Sequence, residues 1–193
     1  EIQSQLLVGQ TAFDRPDVVV QVFRARTQAL VNNIKLGKYF GHRLVVYLIY
    51  VYEYQWRGLP HFHMCVRMTD VPDTSDIEAS VVFIDQHVSA EMPIGDTDDD
   101  VKLRGIINDH MCHKCAVAQN GCKRTANDRC KRGYGTGELI PETYIDERGF
   151  PVYRRRTEND LHVVPHNPLM TLDWGGHINC EFSTNVRRVM YTY

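Results

Sequence analysis

No apolar run in the chain approaches the roughly eighteen residues that cross a bilayer, so no segment reads as a membrane-spanning helix. The start at Glu1 lacks the basic, apolar and small-residue succession of a signal peptide, and the chain reads as soluble and intracellular. A surplus of positive charge is missing too. With 22 Lys and Arg against 24 Asp and Glu, the formal net charge of −2 excludes a uniformly basic nucleic-acid binder. Cysteine is sparse outside one stretch: of six, four lie from Cys112 to Cys130, and such clustering in an intracellular chain favours metal over disulfides. Cys65 and Cys180 fall in strand-like sequence and read as buried thiols.

What is present suits one domain. At 193 residues and 43% hydrophobic content the chain can bury a sizeable core, and we expect a single domain over residues 1–193. Asp14-Arg15-Pro16-Asp17 reads as a helix start, with an acidic cap and proline in the first turn. Val19, Val22, Phe23, Leu30 and Ile34 then recur at helical spacing up to Gly37. Arg43 to Gln55, rich in β-branched and aromatic residues, and His61 to Met68 read as two strands of an antiparallel hairpin. Ile77 to His87 is a short strand or helix that pattern does not separate, and Val101 to Met111 reads as a helix following the acidic run Asp96 to Asp100. Further strands are expected at Tyr153 to Arg156, Leu161 to Val164 and His177 to Phe182, the last after a turn at Asp173 to Gly176. The expected fold is α+β, a central antiparallel sheet of about four to five strands flanked by helices.

The chemistry gathers at the hairpin. Side chains alternate along a strand, so His61 and His63 project from one face while Phe62 points into a core. Glu53 and Gln55 share a parity on the first strand, so either can face the two histidines, depending on register. A carboxylate serves a hard cation better than an amide, which favours Glu53 as the third ligand and leaves Gln55 as the fallback. Imidazole suits Zn, Mn, Ni or Fe, and an added carboxylate with open water positions also admits Mn or Mg. The plainer reading is a half-exposed histidine pair with no ligand.

A second cluster lies in residues 110–132, too poor in apolar side chains to build a core. Cys112-His113-Lys114-Cys115, then Cys122 and Cys130, offer four thiolates, or three thiolates and one imidazole, to a tetrahedral zinc ion. The competing reading is free thiols on a loop. Lys123-Arg124, Arg129, Lys131-Arg132 and Arg154-Arg155-Arg156 concentrate basic charge in the C-terminal half, where they serve either phosphates or a solvated surface. A last helix is expected from Ser183 to Tyr193, with Val186, Val189 and Met190 as its apolar stripe. The chain stops within it, as a fragment of a longer protein would.

Taken in order, Asp14-Arg15-Pro16-Asp17, Glu53 to His63, Tyr153 to Arg156, Val163-Val164-Pro165-His166-Asn167-Pro168 and His177 to Glu181 resemble the N-terminal domain of Helitron transposases, a rolling-circle branch of the HUH endonucleases. The resemblance implies a nuclease of single-stranded DNA at transposon ends. It implies Mg or Mn held by His61, His63 and Glu53 or Gln55, with Tyr191 as nucleophile. It points to His113, Cys115, Cys122 and Cys130 as a structural zinc set, with Cys112 competing for the first place. It suggests that Arg154, Arg155, Arg156 and His177 meet DNA, although a strand-end histidine held by backbone serves His177 equally well. A helicase domain in the full-length protein and a nuclear location follow from the same resemblance.

Overall fold

The computed structural model describes residues 1–54, 59–113, 130, 134 and 137–184. Its chain divides into two compact units, the first over residues 1–71 and the second starting at Pro72. Gln55, Cys115, Cys122, Tyr191 and the expected terminal helix beyond Thr184 lie outside the described residues, as does most of the 110–132 insertion.

In the first unit, helix α1 runs from Pro16–Lys35. Proline at its first position has a preset φ and no N–H to waste, as expected. The acidic cap is not where the sequence suggested. Asp14 closes a preceding 3-10 turn with Thr11, and Arg15 occupies the cap position, paired with Asp17 at 2.7 Å. Thr27, Leu30, Val31 and Ile34 form the buried stripe. The helix stops at Gly37, whose φ of +73° and close approach to His42 turn the chain so that Tyr39 and Phe40 enter the core.

Strands β1 (Val45–Tyr54) and β2 (Pro60–Met68) follow, antiparallel, with Glu53 opposite His61, Tyr52 opposite Phe62 and Val51 opposite His63. Tyr50, Tyr52 and Phe62 form an aromatic cluster on one face, with centroids 5.1 to 5.9 Å apart. Tyr52 Oη meets Thr27 Oγ1 at 2.7 Å, and Phe23 packs edge-on against its ring, so α1 covers this face. The opposite face therefore carries Glu53, His61 and His63.

In the second unit, residues 77–87 resolve as helix, α2 (Ile77–His87). Asp76 caps it, accepting from Ala79 N, and Ser80, Phe83 and Ile84 are buried at i, i+3, i+4 spacing. Helix α3 (Asp98–Ile106) begins earlier than expected. The acidic run forms its first turn, where Thr97 and Asp100 make a capping box and the helix dipole favours carboxylates. A π turn over Ile107–Met111 continues it. Leu103, Ile107 and Met111 bury one stripe against Val163 and Val164. Short strands β3 (Tyr144–Ile145) and β4 (Pro151–Val152) form a hairpin, and helix α4 (Pro168–Trp174) is the last element among the described residues.

In place of a central sheet of four to five strands, the described residues form two separate two-stranded sheets within a mixed α/β chain. The reason lies in where the backbone N–H groups go. In residues 161–164, Val163 N turns back to Asp160 O and Pro165 has no N–H, leaving one isolated bridge between Cys112 and Val163. In residues 177–182, Ile178 N meets Met111 Sδ and Phe182 N meets Tyr153 Oη, so no ladder forms. Tyr153 to Arg156 contributes a single bridge, from Arg155 to Ile140. The expected turn at Asp173 to Gly176 is the end of α4, stopped by Gly175 at φ 66°.

Candidate active site

The register places one of the two parity candidates, while Gln55 lies outside the described residues. Glu53 stands directly opposite His61 and diagonal to His63. Glu53 Oε2 lies 3.2 Å from His63 Nε2, and the rings of His61 and His63 sit edge to face with centroids 4.5 Å apart. Both members of the Glu53–His63 pair are open to solvent, at 51% and 35% side-chain exposure, so a dissolved ion and a phosphate can reach them. Two ligands bound at right angles or tetrahedrally, each about 2.1 Å from one ion, stand about 3.0 to 3.4 Å apart. The 3.2 Å spacing therefore fits two positions in a common shell. A complete shell is not assembled: among the described residues no three His, Cys, Asp or Glu side chains converge closely enough to hold a metal. Cys65 lies two residues beyond His63 on the same strand and is half-buried, less enclosed than expected.

In the second unit, His113 Nε2 comes within 3.4 Å of Cys130 Sγ. Zinc bound tetrahedrally by one nitrogen and one sulfur would hold them about 3.6 Å apart. Cys112, the neighbouring residue, packs instead against the Leu103, Ile107, Met111 core. No assembled zinc site is present among the described residues. Cys180 is likewise half-buried as a residue, and desolvation of its thiol pushes its pKa up to about 12.

The three arginines part ways. Arg154 Nε donates to Glu91 at 3.0 Å and its Nη1 to Asp85 at 3.3 Å, and Arg156 donates twice to Glu91, at 2.7 and 3.1 Å. Arg155 turns inward. Its Nη2 donates to Val163 O at 2.8 Å, its guanidinium lies over Tyr134, and burial pushes its pKa below the usual value. His177 Nδ1 donates to the His110 carbonyl at 2.8 Å, the backbone-satisfied arrangement, while its ring stays exposed. Sequence reasoning missed Asp85 and Glu91 as partners of the arginines, which no local spacing announces. It also missed α4, although Asn167 before Pro168 and Gly175 after Trp174 are its start and stop signals.

The hairpin thus carries two histidines and a carboxylate on one face. Residues 1–66 match the family model described as the Helitron helicase-like domain at N-terminus. The likeness to the Helitron helicase-like domain thus covers about a third of the chain, including Glu53, His61 and His63. No curated protein and no solved structure matches the chain.

Proposed function

We propose that this chain is a metal-dependent endonuclease and strand transferase for single-stranded DNA, acting in rolling-circle transposition. The observation that carries the reading is the pairing of Glu53 with His63 at 3.2 Å, with His61 beside them on the same hairpin face, within the stretch that matches the Helitron domain. Glu53, His61 and His63 would hold Mg or Mn, with Gln55 as a further donor. When bound, the ion supplies positive charge against the non-bridging oxygens of the scissile phosphate. Tyr191 is the nucleophile. Its phenolic oxygen forms a bond to phosphorus as the bond from phosphorus to the 3′-oxygen breaks. The phenol proton passes to solvent, and the leaving oxygen takes up a proton to become a 3′-hydroxyl. The 5′-phosphotyrosine then undergoes the reverse attack by a 3′-hydroxyl, which rejoins a strand. A tyrosine with a pKa near 10 is only about one part in a thousand phenolate at neutral pH, so the charge at this face is what makes the attack competent.

Zinc at His113, Cys115, Cys122 and Cys130 would hold the insertion. The spacing of His113 to Cys130, with Cys112 turned to the core, supports His113 over Cys112 as the first ligand. A helicase domain in the full-length protein and a nuclear location belong to the same reading.

The test is incubation of an unstructured oligonucleotide with the chain and Mn. We expect a covalent adduct that is lost in Tyr191→Phe and in His61→Ala, with DNA binding retained in both. An adduct that survives in Tyr191→Phe would refute the nucleophile, and free 5′-phosphate ends without adduct would mean hydrolysis by water instead. A second reading, a zinc-stabilised DNA-binding module with an inactive histidine pair, is favoured by the lack of a closed three-ligand group among the described residues. It predicts binding with no adduct under any divalent ion.

A further inference from the structure

A cavity of about 410 Å³ in the second unit lies beside the π turn, and its lining includes Asp109, His110, His113, Tyr134, His177 and Asn179. That volume is within the ordinary range for a small-ligand site and is large enough for one nucleotide. Its chemistry is unusual for a site expected to meet DNA, because among the described residues no Lys or Arg lines it and one carboxylate does. The described part of that wall repels phosphate. It is also rich in acceptors. A carbonyl can only accept, so the His177 Nδ1 that touches His110 O carries the proton and leaves Nε2 with a lone pair in the neutral ring. Asn179 Nδ2 donates to Glu181 at 3.1 Å, which leaves Oδ1 as the acceptor. The Asp109 carboxylate accepts on both oxygens. The remaining wall is flat: the His113 and Tyr134 rings are stacked, 4.5 Å apart and 24° from parallel.

From these features we infer that the cavity is a base pocket, taking one unstacked nucleobase that carries an exocyclic amine (adenine, cytosine or guanine) and excluding the phosphate of the same nucleotide. Amine and ring N–H groups donate to Asp109, His177 Nε2 and Asn179 Oδ1, whereas thymine presents two carbonyls beside its single N–H and meets the carboxylate with repulsion. The inference rests on the single-stranded DNA reading and sharpens it, since it makes base identity matter at one position of the bound strand.

The experiment measures fluorescence-anisotropy binding of an oligothymidylate and of the same strand with one central guanine, without Mg or Mn so that no cleavage occurs. We expect the guanine strand to bind about tenfold tighter, in line with the worth of one seated base. Asp109→Asn and Asn179→Ala, both at exposed positions, should erase most of that advantage, Asp109→Asn in part by relieving its repulsion of thymine. Equal binding of the two strands, or a preference that persists in both variants, overturns the pocket and leaves the nuclease reading standing. Failure of both strands to bind overturns both readings.

Discussion

Glu91 links two of the three candidate DNA-contacting arginines, and its removal separates their structural from their functional role. Only 14% of the Glu91 side chain is exposed, and it holds Arg154 at 3.0 Å and Arg156 at 2.7 Å. In Glu91→Ala, Arg154 keeps only Asp85, at 3.3 Å. A hydrogen bond between charged groups contributes about 1.5 to 3 kcal/mol. Arg154 is about a third exposed, so solvent screening brings the loss to about 2 kcal/mol. The more exposed Arg156 adds no assigned energy. For a chain of this length that is a drop in Tm of about 4 to 8 °C, or an equivalent shift of the urea midpoint followed by tryptophan fluorescence. The same substitution releases Arg156 from its carboxylate and leaves Arg154 with one of its two. If they lie on the path of a single strand, affinity rises, and the slope of log K against log salt steepens by about 0.7 for each phosphate newly met. A loss of stability with an unchanged salt slope would refute a phosphate role for these arginines, and an unchanged midpoint would refute the ion-pair network as a support of the fold.

Gly37→Ala should cost about 1 to 3 kcal/mol, because φ is +73° there and a Cβ would stand 2.7 Å from His42 Cα; a thermal melt matching the parent would contradict this. His166 is buried, and desolvation holds its pKa below the ordinary 6.5. The unfolded chain therefore binds more protons than the folded one as pH falls below that value. Stability should be flat in this group's contribution above pH 6.5 and decline below it, and His166→Gln should blunt the decline in urea midpoints measured across that range. Metal analysis of chain purified without chelator should find about one zinc per molecule, lost in His113→Ala and kept in Cys112→Ala; the reverse pattern would assign the site to Cys112.

Much of the first unit was legible because its signals are local. Proline at the first helical position, a stripe at 3.6-residue spacing and two β-rich runs specify α1 and the hairpin without reference to the rest of the chain. The second unit was less legible. Residues 77–87 have a hydrophobic pattern that serves strand or helix, and the Asp76 cap decides it. The expected strands at 161–164 and 177–182 have the composition of strands, yet their N–H groups are taken by a turn carbonyl, a tyrosine hydroxyl and a methionine sulfur. A β-rich composition proposes a strand, but only a partner with matching free groups makes one.

The site divides the same way. Alternation by itself placed His61 and His63 on one face and narrowed the carboxylate to a parity class, because the side-chain period of a strand is a property of its backbone. Which residue stands beside them is a matter of register, and the hairpin sets Glu53 opposite His61 and 3.2 Å from His63. Likewise a run of three arginines reads as one basic patch in sequence. Tertiary structure turned Arg155 into the interior and set Arg154 and Arg156 against Asp85 and Glu91, more than sixty positions away in the chain. Charge in a sequence has sign and spacing, but its partners are set by the fold that brings distant carboxylates within reach.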